Sequence, residues 1–192
     1  MHLNPYFYQK LVRPKFAINK YIKNIVEKVF DFKDKKILDF WCWTGSNSFI
    51  FDSKNYIWVD IEKQRIEFAS KLFPKYSFKC IENSSLDLAN NSLDYICIFA
   101  VIHHISDDVF KWYINEFKRV LKNDWKIIII EPVLNKKYKF SNWFMNTLDD
   151  WEYIRYEEEY LALFENDFTV KVHKRFNKFF LYNEIFFSLS LK

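Results

Sequence analysis

The residues best suited to chemistry follow two short apolar segments. The first segment, Ile37–Phe40, contains Asp39 and runs into a turn that ends at Gly45, the single glycine of the chain. The second segment, residues 55–60, ends in Asp60. At the edge of an open parallel sheet, such a turn lets the backbone approach a nucleotide, and an acid after the second strand binds the ribose hydroxyls. The spacing predicts a nucleotide cofactor site, with helix capping as the alternative role of Asp60.

A second group of polar residues lies further along the chain. His103 and His104 follow an apolar run at residues 94–101, and His103 is the candidate general base. Its alternative role is structural, lining a pocket or bonding a backbone carbonyl, whereas His104 is expected to pack or cap. The guanidinium group of Arg155 can bind a carboxylate or phosphate group of a substrate. Its alternative role is to form ion pairs with the acidic run Glu157–Glu159.

Together these segments resemble the signature of the class I S-adenosylmethionine-dependent methyltransferases. The resemblance covers nearly the whole chain, which separates it from an isolated glycine-rich turn. The matching segments are Asp39-x-Trp41-x-Trp43-Thr44-Gly45, Ile57–Asp60, Asn91–Asp94, Val101–Ile105, Phe117–Trp125 and Asp149–Arg155.

The resemblance implies S-adenosylmethionine as the cofactor and in-line methyl transfer to a small-molecule acceptor. In such a reaction the protein contributes mainly proximity and orientation, plus a base where the acceptor must lose a proton. Glu82, with Asn83 after it, takes the place of the acid that contacts the adenine amino group. The implied cofactor-binding residues are Asp39, Trp41, Cys42, Trp43, Thr44, Gly45, Asp60, Ile61, Glu82, Asn83 and Val101, and the implied substrate-binding residues are His103, Tyr153 and Arg155.

Tryptophan stands where the family pattern has glycine. This holds at residues 41, 43, 58 and 125, and we extend it to residue 151, while the other motif residues are intact. Random decay would scatter many residue types, so the pattern predicts a codon, UGA, that the native host reads as glycine. If the tryptophans are native, Trp41 and Trp43 are expected to block the cofactor, since each indole brings roughly 150–250 Å² of surface into the cleft.

The order of the apolar segments predicts an α/β fold. Alternating strands and helices indicate a parallel sheet, and two final strands with a short connection must pair antiparallel. The expected architecture is a Rossmann-like doubly wound sheet of seven strands, mostly parallel, with a C-terminal antiparallel hairpin. Strands are predicted at 36–40, 55–60, 76–81, 94–101, 126–130, 168–176 and 179–189, and helices at 14–30, 46–52, 62–73 and 110–121.

The whole chain, 1–192, is predicted to be one methyltransferase domain. Within it, residues 1–30 form an N-terminal helical segment and residues 134–166 an insertion that covers the substrate. Half of the residues are hydrophobic, which argues against disorder.

Composition also limits the location and the partners. No apolar run reaches the ~18 residues of a membrane-spanning helix, and the first residues lack signal-peptide features, so a cytoplasmic protein without membrane insertion is expected. The three scattered cysteines suggest reduced thiols and no metal site. The net charge of +4 is mild, and the family's motif for nucleobase amines is missing after strand four, so no nucleic-acid partner is expected.

Two other functions compete with methyl transfer. The first is a catalytically inert Rossmann-like homologue that serves as a binding or partner domain, which native tryptophans at 41 and 43 would favour. The second is an NAD-dependent oxidoreductase, which the closing hairpin and the histidines after strand four disfavour.

Overall fold

The computed structural model describes residues 13–81, 85–148 and 152–192. They form a seven-stranded sheet in the order β3-β2-β1-β4-β5-β7-β6. The strands are β1 (Ile37–Phe40), β2 (Tyr56–Asp60), β3 (Ser77–Cys80), β4 (Leu93–Phe99), β5 (Leu121–Pro132), β6 (Phe168–Lys178) and β7 (Tyr182–Leu191). Strands β1 to β5 are parallel, whereas β7 pairs antiparallel with both β5 and β6. The predicted α/β sheet with its antiparallel hairpin is therefore confirmed.

Helices flank the sheet. The N-terminal helix α1 consists of Lys15–Ile18, a π-helical turn at Asn19–Lys23 and Asn24–Val26. The others are α2 (Lys63–Leu72), α3 (Asp107–Val120), α4 (Lys139–Leu148) and α5 (Glu157–Ala162). None of the helices in the described parts of the chain is long and apolar enough to cross a membrane.

Two separate apolar clusters cover the two faces of the sheet. One contains Leu38, Phe40, Ile96 and Ile127 with the inner face of α3, and the other contains α1 with Ile37, Trp58, Cys97 and Ile128. Neighbouring residues of one strand thus enter opposite clusters, because side chains alternate across a strand. This burial on both sides explains the almost uninterrupted apolar sequences of β4 and β5.

Several predicted boundaries are wrong. In place of a helix at 46–52, the chain forms a 3-10 turn at Ser48–Ile50 and a second one at Ser53–Asn55. After these two turns, Tyr56 pairs with Ile37 of β1. Strand β4 stops at Phe99, since Ala100 has a φ of 57° and cannot continue an extended strand. His103 therefore lies in the 3-10 turn Ile102–His104.

Candidate active site

The turn after β1 has the backbone of a glycine-rich turn. The φ angles are 55° at Trp41, 54° at Trp43 and 76° at Gly45. The left-handed region favours glycine, and for a bulky side chain it costs about 1–2 kcal/mol per residue. The turn is fixed by hydrogen bonds from the Cys42 amide to the Val59 carbonyl and from the Gly45 amide to the Cys42 carbonyl, both 3.0 Å long. Alternate residues of this turn thus have the conformation that glycine would adopt without strain.

Buried polar groups surround this turn. Asp39 is buried and accepts a 3.3 Å hydrogen bond from the Asn47 side chain. Burial raises the pKa of Asp39 to about 6. The Thr44 and Ser46 hydroxyls, also buried, lie 3.1 Å apart. Burying this much polarity costs free energy unless it is hydrogen-bonded, so these residues indicate a polar site at the end of β1.

Asp60 is placed at the end of β2, but backbone groups already contact both its carboxylate oxygens. Oδ2 accepts from the Trp43 amide and Oδ1 from the Glu62 amide, each at 2.9 Å. The Arg65 guanidinium lies 3.9 Å from Oδ1. The side chain is fully buried, and burial raises the pKa of Asp60. Asp60 thus supports the first turn and the start of α2, and a ribose would reach it only after rearrangement.

The Trp43 indole lies between a side chain of α2, which follows β2, and a side chain of the turn after β4. The Arg65 guanidinium stacks over it at 3.9 Å from the ring centroid, and the His104 ring lies 5.3 Å away on the β4 side. Burial lowers the pKa of His104 to about 3, so that its ring is neutral. The indole therefore lies beside the point between β1 and β4 where the strand order reverses, which is where open α/β sheets bind their ligands.

Trp58 and Trp125, which also stand where the family pattern has glycine, are buried in apolar surroundings. Trp58 is fully buried, and its ring lies 4.5 Å from that of Phe78. A Cβ atom at Gly45 would lie only 1.8 Å from Cζ3 of Trp58, so this residue must be glycine beside that indole. Trp125 is buried against Phe168 at 5.6 Å. Neither Trp58 nor Trp125 has a positive φ, so only residues 41 and 43 share the backbone feature.

Opposite the turn, a buried histidine and a buried glutamate form a dyad. His103 Nδ1 lies 2.8 Å from Oε2 of Glu131, the acid near the end of β5. The other oxygen, Oε1, accepts from the Val101 amide at 2.7 Å and the Ile102 amide at 2.9 Å. Burial lowers the pKa of His103 well below its usual value and raises the pKa of Glu131 to about 7.

The hydrogen bond between the two side chains defines how the dyad can act. A neutral His103 that donates from Nδ1 to an ionised Glu131 has its lone pair on Nε2, which is the form of a general base. Glu131 holds the imidazole ring of His103 and also the loop after β4, because it accepts from the amides of residues 101 and 102. We call residues 101–105 the His103 loop. Sequence reasoning gave Glu131 no role. Its signal is a single acid directly after four buried isoleucines, Ile127–Ile130.

Arg155 holds the same loop from the other side. Its side chain donates to the carbonyl groups of Ile102 at 3.2 Å, Tyr153 at 2.6 Å and Ile105 at 3.0 Å. Its Nε and Nη2 atoms also contact the carboxylate of Asp107. These contacts use all five N–H groups of the guanidinium. The predicted alternative, pairing with the acidic run after it, is wrong, because the acid that Arg155 contacts is Asp107.

The other predicted site residues take different positions. Tyr153 donates its amide to the His103 carbonyl at 3.0 Å, and Val101 is buried beneath the dyad. Ile61 is exposed, and Cys42 is buried within the turn. Glu82 and Asn83 lie outside the described residues, as does Trp151. The structure thus brings together the turn after β1, Asp60 and the His103 loop at the carboxyl edge of the sheet.

Comparison with known proteins agrees with this geometry. Residues 37–124 match the methyltransferase domain family. A protein from Pyrococcus horikoshii, PH0226, superposes with a TM-score of 0.76 at 16% identity, over 99% of this chain and 100% of that one. An S-adenosylmethionine-dependent methyltransferase from Aquifex aeolicus gives 0.69 at 18% identity, over 97% and 99%. No curated protein sequence matches the chain.

A third structure is similar over the same extent. It is a methyltransferase from Thermotoga maritima described as a possible histamine N-methyltransferase, with a TM-score of 0.72, 15% identity and 98% of both chains covered. Residues 37–124 thus match a methyltransferase domain, and the chain has the fold of S-adenosylmethionine-dependent methyltransferases along nearly its whole length. S-adenosylmethionine is accordingly the expected cofactor.

The backbone of the first turn suits this cofactor, but the side chains on it do not. Glycine at residues 41 and 43 would keep the observed φ angles and remove both indoles from the turn. With the indoles present, Trp43 occupies the space between Arg65 and His104. The buried Trp41 Nε1 has no hydrogen-bond partner in the described part of the chain, which is a further cost of an indole at that position.

Proposed function

We propose that the form of this chain with glycine at residues 41 and 43 transfers a methyl group from S-adenosylmethionine to a small-molecule acceptor. The observation that carries the proposal is the left-handed backbone at both tryptophans, which is the conformation of a cofactor-binding glycine turn. The same observation supports the UGA hypothesis for these two residues. It gives no such support at Trp58 and Trp125, which are buried without a positive φ.

His103 is the proposed general base, and Glu131 is its positioning residue. The dyad geometry supports this assignment, since Glu131 can hold the proton of His103 at Nδ1 and leave Nε2 to accept one. In a buried site, His103 can take a proton from an amine or hydroxyl acceptor without first losing one of its own. Tyr153 and Arg155 are proposed to act on the substrate indirectly, by fixing the loop that carries His103.

The decisive experiment is cofactor titration of two matched chains. Isothermal calorimetry should detect micromolar S-adenosylmethionine binding by the Trp41→Gly/Trp43→Gly variant and none by the tryptophan chain. A Trp112→Gly variant, altered on the outer side of α3, is the control and should behave like the tryptophan chain. Failure of the double-glycine variant to bind, while it remains folded by circular dichroism, would contradict the proposal.

The acceptor is found by measuring S-adenosylhomocysteine released by the double-glycine variant with amines, phenols and carboxylic acids. Amines are the first class to test, since one similar fold carries the description of a possible amine methyltransferase. His103→Gln in the same background should keep cofactor binding and lose turnover by about 10²–10⁴-fold. Unchanged turnover would remove His103 as the base.

A second function, an inert binding or partner domain, is favoured by one observation. The Trp43 indole lies between Arg65 and His104, and backbone amides donate to both oxygens of Asp60. Mass spectrometry of the protein isolated from its native host separates the two functions. Glycine at residues 41 and 43, with UGA codons in the gene, supports the enzyme, whereas tryptophan with UGG codons supports the inert domain.

A further inference from the structure

Large aromatic side chains are exposed on three segments that meet beside the active-site edge. These are the α1 segment (residues 13–23), the α4 segment (134–148) and the hairpin tip (174–182). The exposed fractions are 93% for Phe180, 65% for Phe140, 63% for Phe16 and 54% for Tyr138. Such side chains usually lie singly on a surface, so their concentration on joined segments marks a binding face.

The three segments form one surface because they contact one another at the hairpin tip. The Phe179 ring lies 6.2 Å from Phe16 and 5.2 Å from Tyr21 of the α1 segment. On the other side, Ser141 of the α4 segment donates to the Leu181 carbonyl, and Phe144 packs 5.6 Å from Tyr182. We call this surface, made of the three segments, the aromatic face.

The aromatic face is strongly basic. Its three segments contain ten Lys and Arg residues and no Asp or Glu, although the rest of the chain has 19 basic residues against 25 acidic ones. Acids from outside the face pair with four of the cations: Glu27 with Lys23, Glu157 with Arg175, Glu158 with Lys136 and Glu184 with Lys178. Even with those acids counted, six positive charges remain.

The hairpin tip holds Phe180 outward in a backbone conformation that phenylalanine disfavours. Phe179 and Phe180 have φ angles of 55° and 60°, and the Leu181 amide bonds the Lys178 carbonyl at 3.2 Å. Two positive φ angles define a type I′ turn, for which Asn-Gly is the favoured sequence. Phe180 neither relieves this strain nor enters the core, so burial against the body of the protein does not explain it.

We propose that the aromatic face docks on an anionic lipid bilayer, with Phe180 and Phe140 entering the interfacial region and the lysines contacting the headgroups. Aromatic residues combined with cations are the composition of interfacial membrane-binding surfaces. A second copy of the chain fits poorly, because two such faces would bring like charges together. Single-stranded nucleic acid shares the charge preference, but it stacks on aromatic platforms and does not need a protruding tip.

The face borders the active-site edge. Arg13, at the start of the α1 segment, donates to the Phe99 carbonyl at the end of β4 at 2.9 Å. Hairpin tip and His103 loop lie at the same end of the sheet, since Pro132 of β5 pairs with Glu184 of β7. Docking would therefore turn the carboxyl edge towards the bilayer. The proposal concerns binding alone and does not depend on the methyl-transfer activity.

The test is co-sedimentation of the full chain with vesicles. Vesicles of equal parts phosphatidylcholine and phosphatidylglycerol should bind it, whereas phosphatidylcholine alone should bind at least about tenfold less, and added salt should weaken the binding. Phe180→Asn with Phe140→Gln should reduce binding by about tenfold or more. Both substitutions suit their local structure, since asparagine tolerates the turn and glutamine favours the helix.

Leu72→Gln is the matched control. Leu72 is also exposed and apolar, but it ends α2 at the opposite edge of the sheet, and its substitution should leave vesicle binding unchanged. Hydrogen exchange should slow at residues 139–148 and 178–182 when anionic vesicles are added. Equal binding to both vesicle types, loss of binding in the Leu72 variant, or tighter Phe180-independent binding to single-stranded RNA would overturn the proposal.

Discussion

At the scale of single residues, the tryptophans of this chain are of two kinds. Trp41 and Trp43 have left-handed backbones, whereas Trp58 is a fully buried strand residue without a positive φ. A glycine substitution therefore has opposite backbone effects in the two settings. It relieves strain in the turn and removes support from the strand.

Comparison of glycine with alanine isolates this backbone effect, because both remove the indole. We expect Trp43→Gly to be more stable than Trp43→Ala by about 1–2 kcal/mol, since alanine keeps a Cβ at positive φ. At residue 58 the order should reverse by about 0.5–1 kcal/mol. Urea unfolding of the four variants measures both differences. The same order at both positions would show that the left-handed turn is absent in solution.

Trp58 also allows a separate prediction on packing. Removing its indole should lower the free energy of unfolding by about 3–5 kcal/mol, because the aromatic cluster around it cannot collapse fully into the space. Replacing Trp112, which is exposed on α3, by glycine should lower the free energy of unfolding by only about 1 kcal/mol. Similar costs for the two would indicate that the chain does not depend on an indole at residue 58.

At the scale of structural elements, the His103 loop is held from two directions. Glu131 of β5 binds its amides, and Arg155 binds its carbonyl groups. The loop has little regular secondary structure, so hydrogen bonds from these two side chains take the place of the backbone hydrogen bonds of a strand or helix. The precision of His103 thus depends on residues distant in sequence.

Arg155→Lys should loosen this loop, because an ammonium cannot reproduce five fixed donors. We expect a loss of about 2–3 kcal/mol in unfolding free energy and faster hydrogen exchange at residues 103–105. Arg175→Lys is the control, since Arg175 forms an exposed pair with Glu157 and should cost at most about 1 kcal/mol. Equal costs would argue against the loop-holding role of Arg155.

How far the sequence predicts these elements depends on how local their causes are. The buried strands could be identified because their apolar runs are continuous, and the final hairpin because its connection is short. The helix predicted at 46–52 is wrong, because apolar spacing does not distinguish a regular helix from the two short 3-10 turns that form between residues 48 and 55. In the candidate site, Asp60 and His103 could be predicted to lie at the carboxyl edge of the sheet, because they stand at the end of one strand and shortly after another. The Glu131 and Arg155 contacts span 28 and 53 residues and have no local signature.

At the scale of the whole molecule, several buried ionisable groups affect stability in opposite ways. Glu131 has a folded pKa of about 7 against an ordinary value of 4.5, so the folded state binds its proton more tightly. The stability that protonated Glu131 contributes is therefore lost as the pH rises from the ordinary pKa of 4.5 to the folded pKa of about 7. The lowered pKa of His104 has the opposite effect. As the pH falls below about 6.5, His104 takes up a proton in the unfolded chain but not in the folded one, so the folded state loses stability.

Glu131→Gln separates these contributions. The variant cannot ionise at this residue, so its unfolding free energy should decline less than that of the parent between about pH 5 and pH 8. The Asp39 contribution is common to both proteins and cancels in the difference, whereas the pKa of His104, which the Glu131 charge raises, falls further in the variant. Urea unfolding across this range measures the effect. Parallel pH profiles would mean that Glu131 is not buried with a raised pKa.

The strand order has a consequence for folding during synthesis on the ribosome. Strand β7 lies between β5 and β6, although it is synthesised after both. Until Tyr182–Leu191 has left the ribosome, the isoleucine-rich flank of β5 has no neighbour on that side. An unpaired apolar edge invites aggregation during translation. Ribosome stalling before Tyr182 should therefore yield nascent chains that bind chaperones, and release of the last strand should end that dependence.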